Sequence, residues 1–364
     1  MTRRAATRQA GQTGQTGQGS GASFASAQDV ARLAGVSRSA VSRCFTPGAS
    51  IAPETRARVL EAARVLGYQV NDLARGLLAR QSRLVGLIAS RPELGFRAHL
   101  TAELSRALIR RGSVPVLIDP GHSGFEREAA RNILFGHRAE ACIVLSGTPP
   151  REFVELARQN GQPLILIGRD EAGCDSVRIG NEQAAIAAAR QLCRNGAGKL
   201  GLIGSRSATP TLTRRERAFR EEAARLGAPV VWLRGEEADH AGGFEAGARM
   251  LADPRPPRGV FCVNDLMAFG LLDAARQRNL PVPGALEVIG FDDLPEAGWP
   301  AYDLTTFRQD PAEVARAAIS LLERRQADPA APPETRHLAA QPVFRGSAPR
   351  RGDAPAPAAR RPRG

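Results

Sequence analysis

Several short apolar runs in this chain end on polar residues. Ser90 follows Leu84–Ala89, and Ser146 follows Ala141–Leu145. Arg169 and Asp170 come just after Leu164–Ile167, and Ser205 after Leu200–Ile203. Asn264 and Asp265 follow Val260–Val263, while Asp292 and Asp293 follow Val288–Phe291. In an open α/β sheet, ligands bind outside the carboxyl ends of the strands. Hydroxyls, carboxylates, an amide and a guanidinium gathered there can each pair with a hydroxyl of a polyhydroxylated ligand such as a sugar. Trp299, shortly after the last pair, offers a flat face for C–H groups. Each residue also has a plainer use as a solvated loop residue or a helix cap, and Asn264–Asp265 can simply cap a helix at Leu266. The shared position at strand ends is what favours binding.

Catalysis has less support. No His has a clear spacing to a Ser or Cys nucleophile, and there is no GxSxG elbow and no HxxxH pair. His99, His122, His137 and His240 read as surface or helix-face residues. Gly196, Gly198 and Gly201 match GxGxxG, but a helical stretch precedes them and strand-like Leu200–Ile203 follows. The dinucleotide fingerprint needs the reverse order. The five cysteines (Cys44, Cys142, Cys174, Cys193 and Cys262) show no metal or redox spacing and read as buried thiols in a reducing cytosol. No metal and no cofactor is expected.

A second chemistry lies near the N-terminus. Residues Gln28–Arg43 read as two short helices around a tight turn. Val30, Leu33, Val36 and Val41 are expected to face one small core, and Ala31 lets the helices cross closely. Gly35 supplies the left-handed residue that ends the first helix, and Ser37 caps the second. This is the pattern of a DNA-binding helix-turn-helix. A third helix follows, begun by Pro53 and Glu54, striped by Val59, Ala63 and Leu66, and ended by Gly67. Asn71–Arg80 is expected to be only conditionally helical, because Gly76 costs roughly 1 kcal/mol relative to Ala.

Charge supports this reading. Of a formal +13, residues 26–82 carry eight Arg against four acids, and both tails are basic. An excess concentrated on the helix-turn-helix and the tails suits a polyanionic partner. From Leu84 onward, the apolar runs alternate with helix-like stretches: Ala98–Arg111, Glu182–Arg194, Arg214–Leu226, Ala268–Arg278 and Pro311–Arg325. That alternation predicts α/β architecture, and about eight strands fit two small doubly wound parallel-sheet subdomains. Residues 1–25, with their Gly-Gln-Thr repeats, are expected to be a disordered basic tail lacking a signal-peptide apolar region, and residues 347–364 a disordered tail. No apolar run reaches the roughly 18 residues of a membrane helix.

In the order and spacing of Asp29-Val-Ala, Ala34-Gly-Val-Ser, Val41-Ser-Arg, Thr55-Arg56, Gly67-Tyr68, Asn71 and Leu77, the chain resembles the lactose-repressor (LacI/GalR) family of bacterial transcription factors. Asn264-Asp265, Gly290-Phe-Asp-Asp293 and Leu304-Thr-Thr306 agree with the resemblance, which covers roughly residues 26–346. The resemblance implies a helix-turn-helix headpiece over 26–70, a hinge helix over 71–82 and a bilobed periplasmic-binding-protein-like core over 83–346. It implies a cytoplasmic homodimer on double-stranded, near-palindromic operator DNA, switched by a small-molecule effector in the interlobe cleft. By position, Arg38 and Ser39 would read bases, Ser37, Ser42 and Arg43 would contact phosphates or adjoining bases, and Asn71, Ala74 and Leu77 would act from the hinge, Leu77 as a minor-groove wedge. The implied effector contacts are Ser90, Ser146, Asp170, Arg215, Asn264, Asp292 and Trp299, with Arg217 competing for the role of Arg215.

The chain departs from the family in places. Ala52 replaces the usual Ser cap, Ala218 a glycine, and Gly180 an aspartate. Gly168 stands where the lactose repressor has an effector-contacting Asp. Effector identity therefore does not transfer. No leucine-rich heptad follows the core, so a dimer is expected rather than a coiled-coil tetramer. The alternatives are a bilobed solute-binding protein without regulation, opposed by the helix-turn-helix, and a sugar-processing enzyme, opposed by the absent catalytic constellation.

Overall fold

The computed structural model describes residues 24–46, 48–69, 82–120, 128, 132, 136, 139–145, 151–207 and 209–350. Residues 1–23 of the expected tail 1–25 and residues 351–364 of the expected tail 347–364, the hinge residues Asn71, Ala74 and Leu77, and Ser146 lie outside the described residues. Contacts divide the chain into two units, Met1–Arg80 and Gln81–Gly364.

The first unit holds α1 (Ala27–Ala34), α2 (Arg38–Cys44) and α3 (Pro53–Leu66). Ser26 and Asp29 start α1 with a reciprocal capping box, and Gly35 ends it at φ 63°. Ser37 Oγ accepts from Ala40 N at 3.2 Å, which starts α2. With Ala52 unable to cap, Pro53 fixes the first φ of α3 and Glu54 meets the positive helix end. The core is Val30, Ala31, Ala34, Val41, Cys44, Val59, Ala62 and Ala63, with Val36 partly buried against it. Leu33 does not join it: its side chain is 54% exposed, and the smaller Ala34 takes the inward position. Leu66 likewise sits at the rim, with Ala62 and Ala63 making the inner face of α3.

The second unit is two parallel sheets with helices on their faces. The first lobe contains β1 (Leu84–Ile88), α4 (Phe96–Arg110), β2 (Val114–Ile118), β3 (Ala141–Val144), α5 (Arg151–Gln159), β4 (Leu164–Ile167) and β5 (Asp175–Ile179). The second contains α6 (Asn181–Arg194), β6 (Leu200–Ser205), α7 (Pro210–Arg225), β7 (Val230–Gly235), α8 (His240–Leu251), β8 (Gly259–Cys262), α9 (Asp265–Gln277) and β9 (Glu287–Ile289). After β10 (Thr306–Arg308), helix α10 (Pro311–Ala327) packs against α4, β4 and β5, and β11 (Thr335–Leu338) adds to β5. β12 (Gln341–Val343) then returns to pair antiparallel with β10.

The sheet orders are β11-β5-β4-β3-β1-β2 and β7-β6-β8-β9. The chain therefore passes between lobes three times: from β5 into α6, from β10 into α10, and from β11 into β12. Covered faces explain the unbroken apolar runs of β3, β4 and β8.

Among the elements named above, four strands and two helices were not anticipated, and β5 and α8 show why. β5 reads Asp-Ser-Val-Arg-Ile, and its buried Asp175 is held by Arg325 at 2.8 Å rather than by solvent. α8 carries three glycines, which propensity alone disfavours. Two of them, Gly243 and Gly247, let α8 lie against α9: a Cβ on Gly243 would strike the backbone carbonyl of Met267. The C-terminal tail also begins later than residue 347. Ser347 is buried, donates to Val288 O at 2.7 Å and accepts from Thr305 N at 2.8 Å, and Ala348 is fully buried.

Candidate functional sites: an exposed helix and an interlobe cleft

Burial of Val41 and Cys44 fixes which way α2 faces. Ser37, Arg38, Ser39, Ser42 and Arg43 are all exposed. Ser37 and Ser39 hydroxyls lie 2.8 Å apart. Among the described residues, Arg38 and Arg43 have no ion-pair partner, so both guanidinium groups are available to an outside anion or base edge. Arg56 donates to Cys44 O at 3.1 Å and ties α3 to the end of α2.

A cavity of about 360 Å³ lies between the two lobes of the second unit. Its wall is built from the ends of strands and the starts of helices. From the first lobe come Ser90 after β1, Gly95–Arg97 at the start of α4, and Gly168 and Arg169 after β4. From the second come Thr209–Leu212 and Arg215 at the start of α7, Glu237 and Ala238 after β7, Asn264 after β8, and Asp292 after β9, with Gln309 from the crossover.

Arg215 is the most constrained of these. Its Nε donates to Asn181 Oδ1 at 2.7 Å and its Nη1 to Val263 O at 2.6 Å, while its guanidinium lies 3.4 Å from the Phe291 ring centroid. Burial pulls its pKa down to about 10, against the pull of the nearby Asp292 charge, so it stays protonated at neutral pH. The Asp292 carboxylate is 3.8 Å away and accepts from Gln309 Nε2 at 2.5 Å. Burial raises the Asp292 carboxyl above its ordinary range, opposed by Arg215.

Asp265 sits behind Asp292, fully buried, accepting from Leu294 N at 2.8 Å and Thr306 Oγ1 at 2.6 Å. Burial and the Asp292 charge both raise it. Asp292 and Asp293 take φ of 135° and 58°, conformations that L residues disfavour and that cost on the order of 1–3 kcal/mol each. The strain aims the Asp292 carboxylate at the cavity and turns Asp293 toward Arg308 and Arg345.

The lobes meet beside this cavity. Arg91 of the first lobe bridges Glu237 at 3.1 Å and Asp239 at 3.0 Å in the second. At Gly168, a Cβ would come within 2.7 Å of Thr211 Cγ2. The glycine that replaces the expected aspartate is therefore a point of close approach between lobes.

Of the residues expected to meet a ligand, Ser90, Arg215, Asn264 and Asp292 share this wall. Arg217 is 64% exposed and pairs with Glu221, so of these two arginines it is Arg215 that lines the cavity. Two of the expected residues are not on this wall. Asp170 lies off the cavity, exposed and paired with Arg178 and Arg214. Trp299 is 52% exposed, follows a 3-10 turn and is not part of the wall. Asn264 serves both uses weighed for it: its Oδ1 caps α9 through Met267 N at 2.9 Å while the residue lines the cavity. Ser205 is buried under Glu236 O and Ser207. Arg97, Thr209, Thr211 and Gln309 were missed, because the strand-end rule says nothing of residues supplied by helix starts and crossovers.

A three-helix headpiece followed by a bilobed parallel α/β core with a polar interlobe cavity defines a helix-turn-helix protein joined to a binding-protein-like domain. Family comparison agrees. Residues 26–71 match the lacI family of bacterial regulatory proteins, and residues 189–348 match a periplasmic binding protein-like domain. The HTH-type transcriptional regulator GalS of Salmonella typhimurium is 31% identical over 81% of this chain and 88% of its own length. Catabolite control protein A of Priestia megaterium is 28% identical over 81% of this chain and 91% of its own.

Among solved structures, the Lac repressor dimer bound to operator and the anti-inducer ONPF superposes with a TM-score of 0.80 at 22% identity, covering 90% of this chain and all of that one. The transcriptional regulator CelR–cellobiose complex superposes at 0.67 with 26% identity, over 89% and 99%. The chain belongs to the LacI family of transcriptional regulators, with a helix-turn-helix DNA-binding domain and an effector-binding core. Among the described residues, no helix is long and apolar enough to cross a membrane.

Proposed function

We propose that this regulator binds a near-palindromic operator as a homodimer, and that a small polyhydroxylated metabolite in the interlobe cavity sets its affinity for DNA. The observation that carries the reading is the cavity itself: buried Arg215 and Asp292, with Asn264 and Gln309, present fixed donors and acceptors between two lobes that three chain passages connect. In this reading Arg38 takes guanine O6 and N7, Ser39 an adjoining base, and Ser37, Ser42 and Arg43 the backbone. Asn71, Ala74 and Leu77 act from the hinge at the centre of the site. The relatives support it: one solved neighbour is a repressor dimer on its operator, and another holds cellobiose.

Dimerisation has a natural surface in the second unit. Ile109 of α4 and Val114 and Leu117 of the edge strand β2 are all about half exposed or more. In this reading the protein acts in the cytoplasm, where its operator lies. That similar proteins are transcriptional regulators supports recognition rather than catalysis as the use of the cavity. Selection of duplexes from a random pool by the full chain tests the reading. Enrichment of one near-palindromic sequence is expected; recovery of DNA without sequence preference overturns it.

A further inference from the structure

The cavity carries more positive than negative charge. Its described lining includes four arginines, Arg91, Arg97, Arg169 and Arg215, but only two carboxylates, Glu237 and Asp292. Three of the arginines have carboxylate partners: Arg91 with Glu237 and Asp239, Arg169 with Glu171, and Arg215 with Asp292. Arg97 has none among the described residues. Its single hydrogen bond is Nη1 to the Ser90 carbonyl at 2.5 Å, out of the five N–H donors a guanidinium offers. Burial pulls its pKa down, with the Arg91 charge acting the same way against the smaller opposing pull of Glu93, Asp292 and Asp119. A partly desolvated cation with unused donors is an unfavourable arrangement unless an anion completes it.

A second observation points the same way. α4 begins at Gly95 and α7 at Thr209 with no side-chain cap, and both starts line this cavity, one from each lobe. The first turns of a helix leave backbone N–H groups without intrahelical partners and carry the positive end of the helix dipole. By contrast, α9, which also begins at the cavity, is capped by Asn264.

Resting on the cleft reading above, we infer that the effector is an anion: a small polyhydroxylated metabolite bearing a carboxylate or phosphate, with the acidic group on Arg97 and the hydroxyls facing Asp292, Asn264 and Gln309. Arg97 is then the residue that separates acidic ligands from their neutral counterparts. It completes an ion pair only when the cleft is filled, so effector binding removes an electrostatic cost that the empty protein carries.

Thermal shift and calorimetry on the full chain test this with matched probes: glucose, glucuronate and glucose 6-phosphate; galactose and galacturonate; ribose and ribose 5-phosphate; and inorganic phosphate. At least one acid should raise Tm where its neutral partner does not, and the carboxylate and phosphate arms tell which group is bound. Arg97→Gln should weaken that acid about tenfold or more, as loss of a charge-assisted hydrogen bond implies, while Arg97→Lys keeps most of the affinity. Without ligand, Arg97→Gln should melt no lower than the wild type, whereas a merely structural arginine would cost stability.

A neutral sugar that binds as tightly as its acid and ignores Arg97→Gln overturns the anionic assignment and leaves the cleft reading standing. An acid whose binding ignores both Arg97→Gln and Asp292→Asn overturns the cleft reading itself. No acid in the panel exceeding its neutral partner overturns the assignment.

Discussion

Arg38 stands on the exposed face of α2 with no ion-pair partner among the described residues, so its loss should touch DNA and little else. Arg38→Ala is expected to reduce discrimination between the selected duplex and a scrambled one by roughly 1–3 kcal/mol, while salt-sensitive nonspecific binding persists. Fluorescence anisotropy on both duplexes measures this, and an unchanged preference counts against the base-reading role. Asp265 makes a different kind of claim. Its ordinary value is 3.8 and burial raises it to about 7 in the folded chain. Its carboxyl is therefore neutral in the folded protein and charged in the unfolded chain between about pH 4 and pH 7. The stability it contributes is complete below about pH 4 and is lost as pH rises to about 7. The Tm of the wild type relative to Asp265→Asn should fall across that window; a constant difference contradicts the buried, protonated Asp265. At this scale the sequence was readable where a residue abuts a strand end, as Ser90, Asn264 and Asp292 do. It was unreadable for Arg97 and Gln309, whose approach to the cavity depends on tertiary placement.

Among the elements, the contact between α8 and α9 is the one least visible in composition and the most exacting in geometry. Gly243 and Gly247 admit the backbone of α9, and a Cβ on Gly247 would lie 2.9 Å from Leu271 Cδ1. Gly243→Ala should therefore destabilise the second unit by roughly 1–3 kcal/mol through overpacking, although alanine favours helix more than glycine does. Chemical denaturation followed by circular dichroism gives the value, and a stabilised variant contradicts the close approach. Elements with an unbroken apolar run or a clear cap were legible from sequence: β1 to β4, β6 to β9, and the three headpiece helices. β5 was not, because Asp175 is satisfied by Arg324 and Arg325 from 150 residues away, a partnership that local pattern does not encode.

In the molecule as a whole, the proposed function links lobe closure to DNA binding. Allosteric coupling is a free energy between two sites, commonly 5- to 150-fold in affinity. The close approach of Gly168 and Thr211 allows the link to be tested without knowing the ligand. In the double variant Gly168→Cys/Thr211→Cys, oxidation fastens the lobes together and reduction frees them, so one protein serves as its own control. The direct measurement is its dissociation constant for the selected duplex in the two redox states. The account predicts a difference of at least about fivefold. Equal affinity of the crosslinked and reduced forms contradicts it.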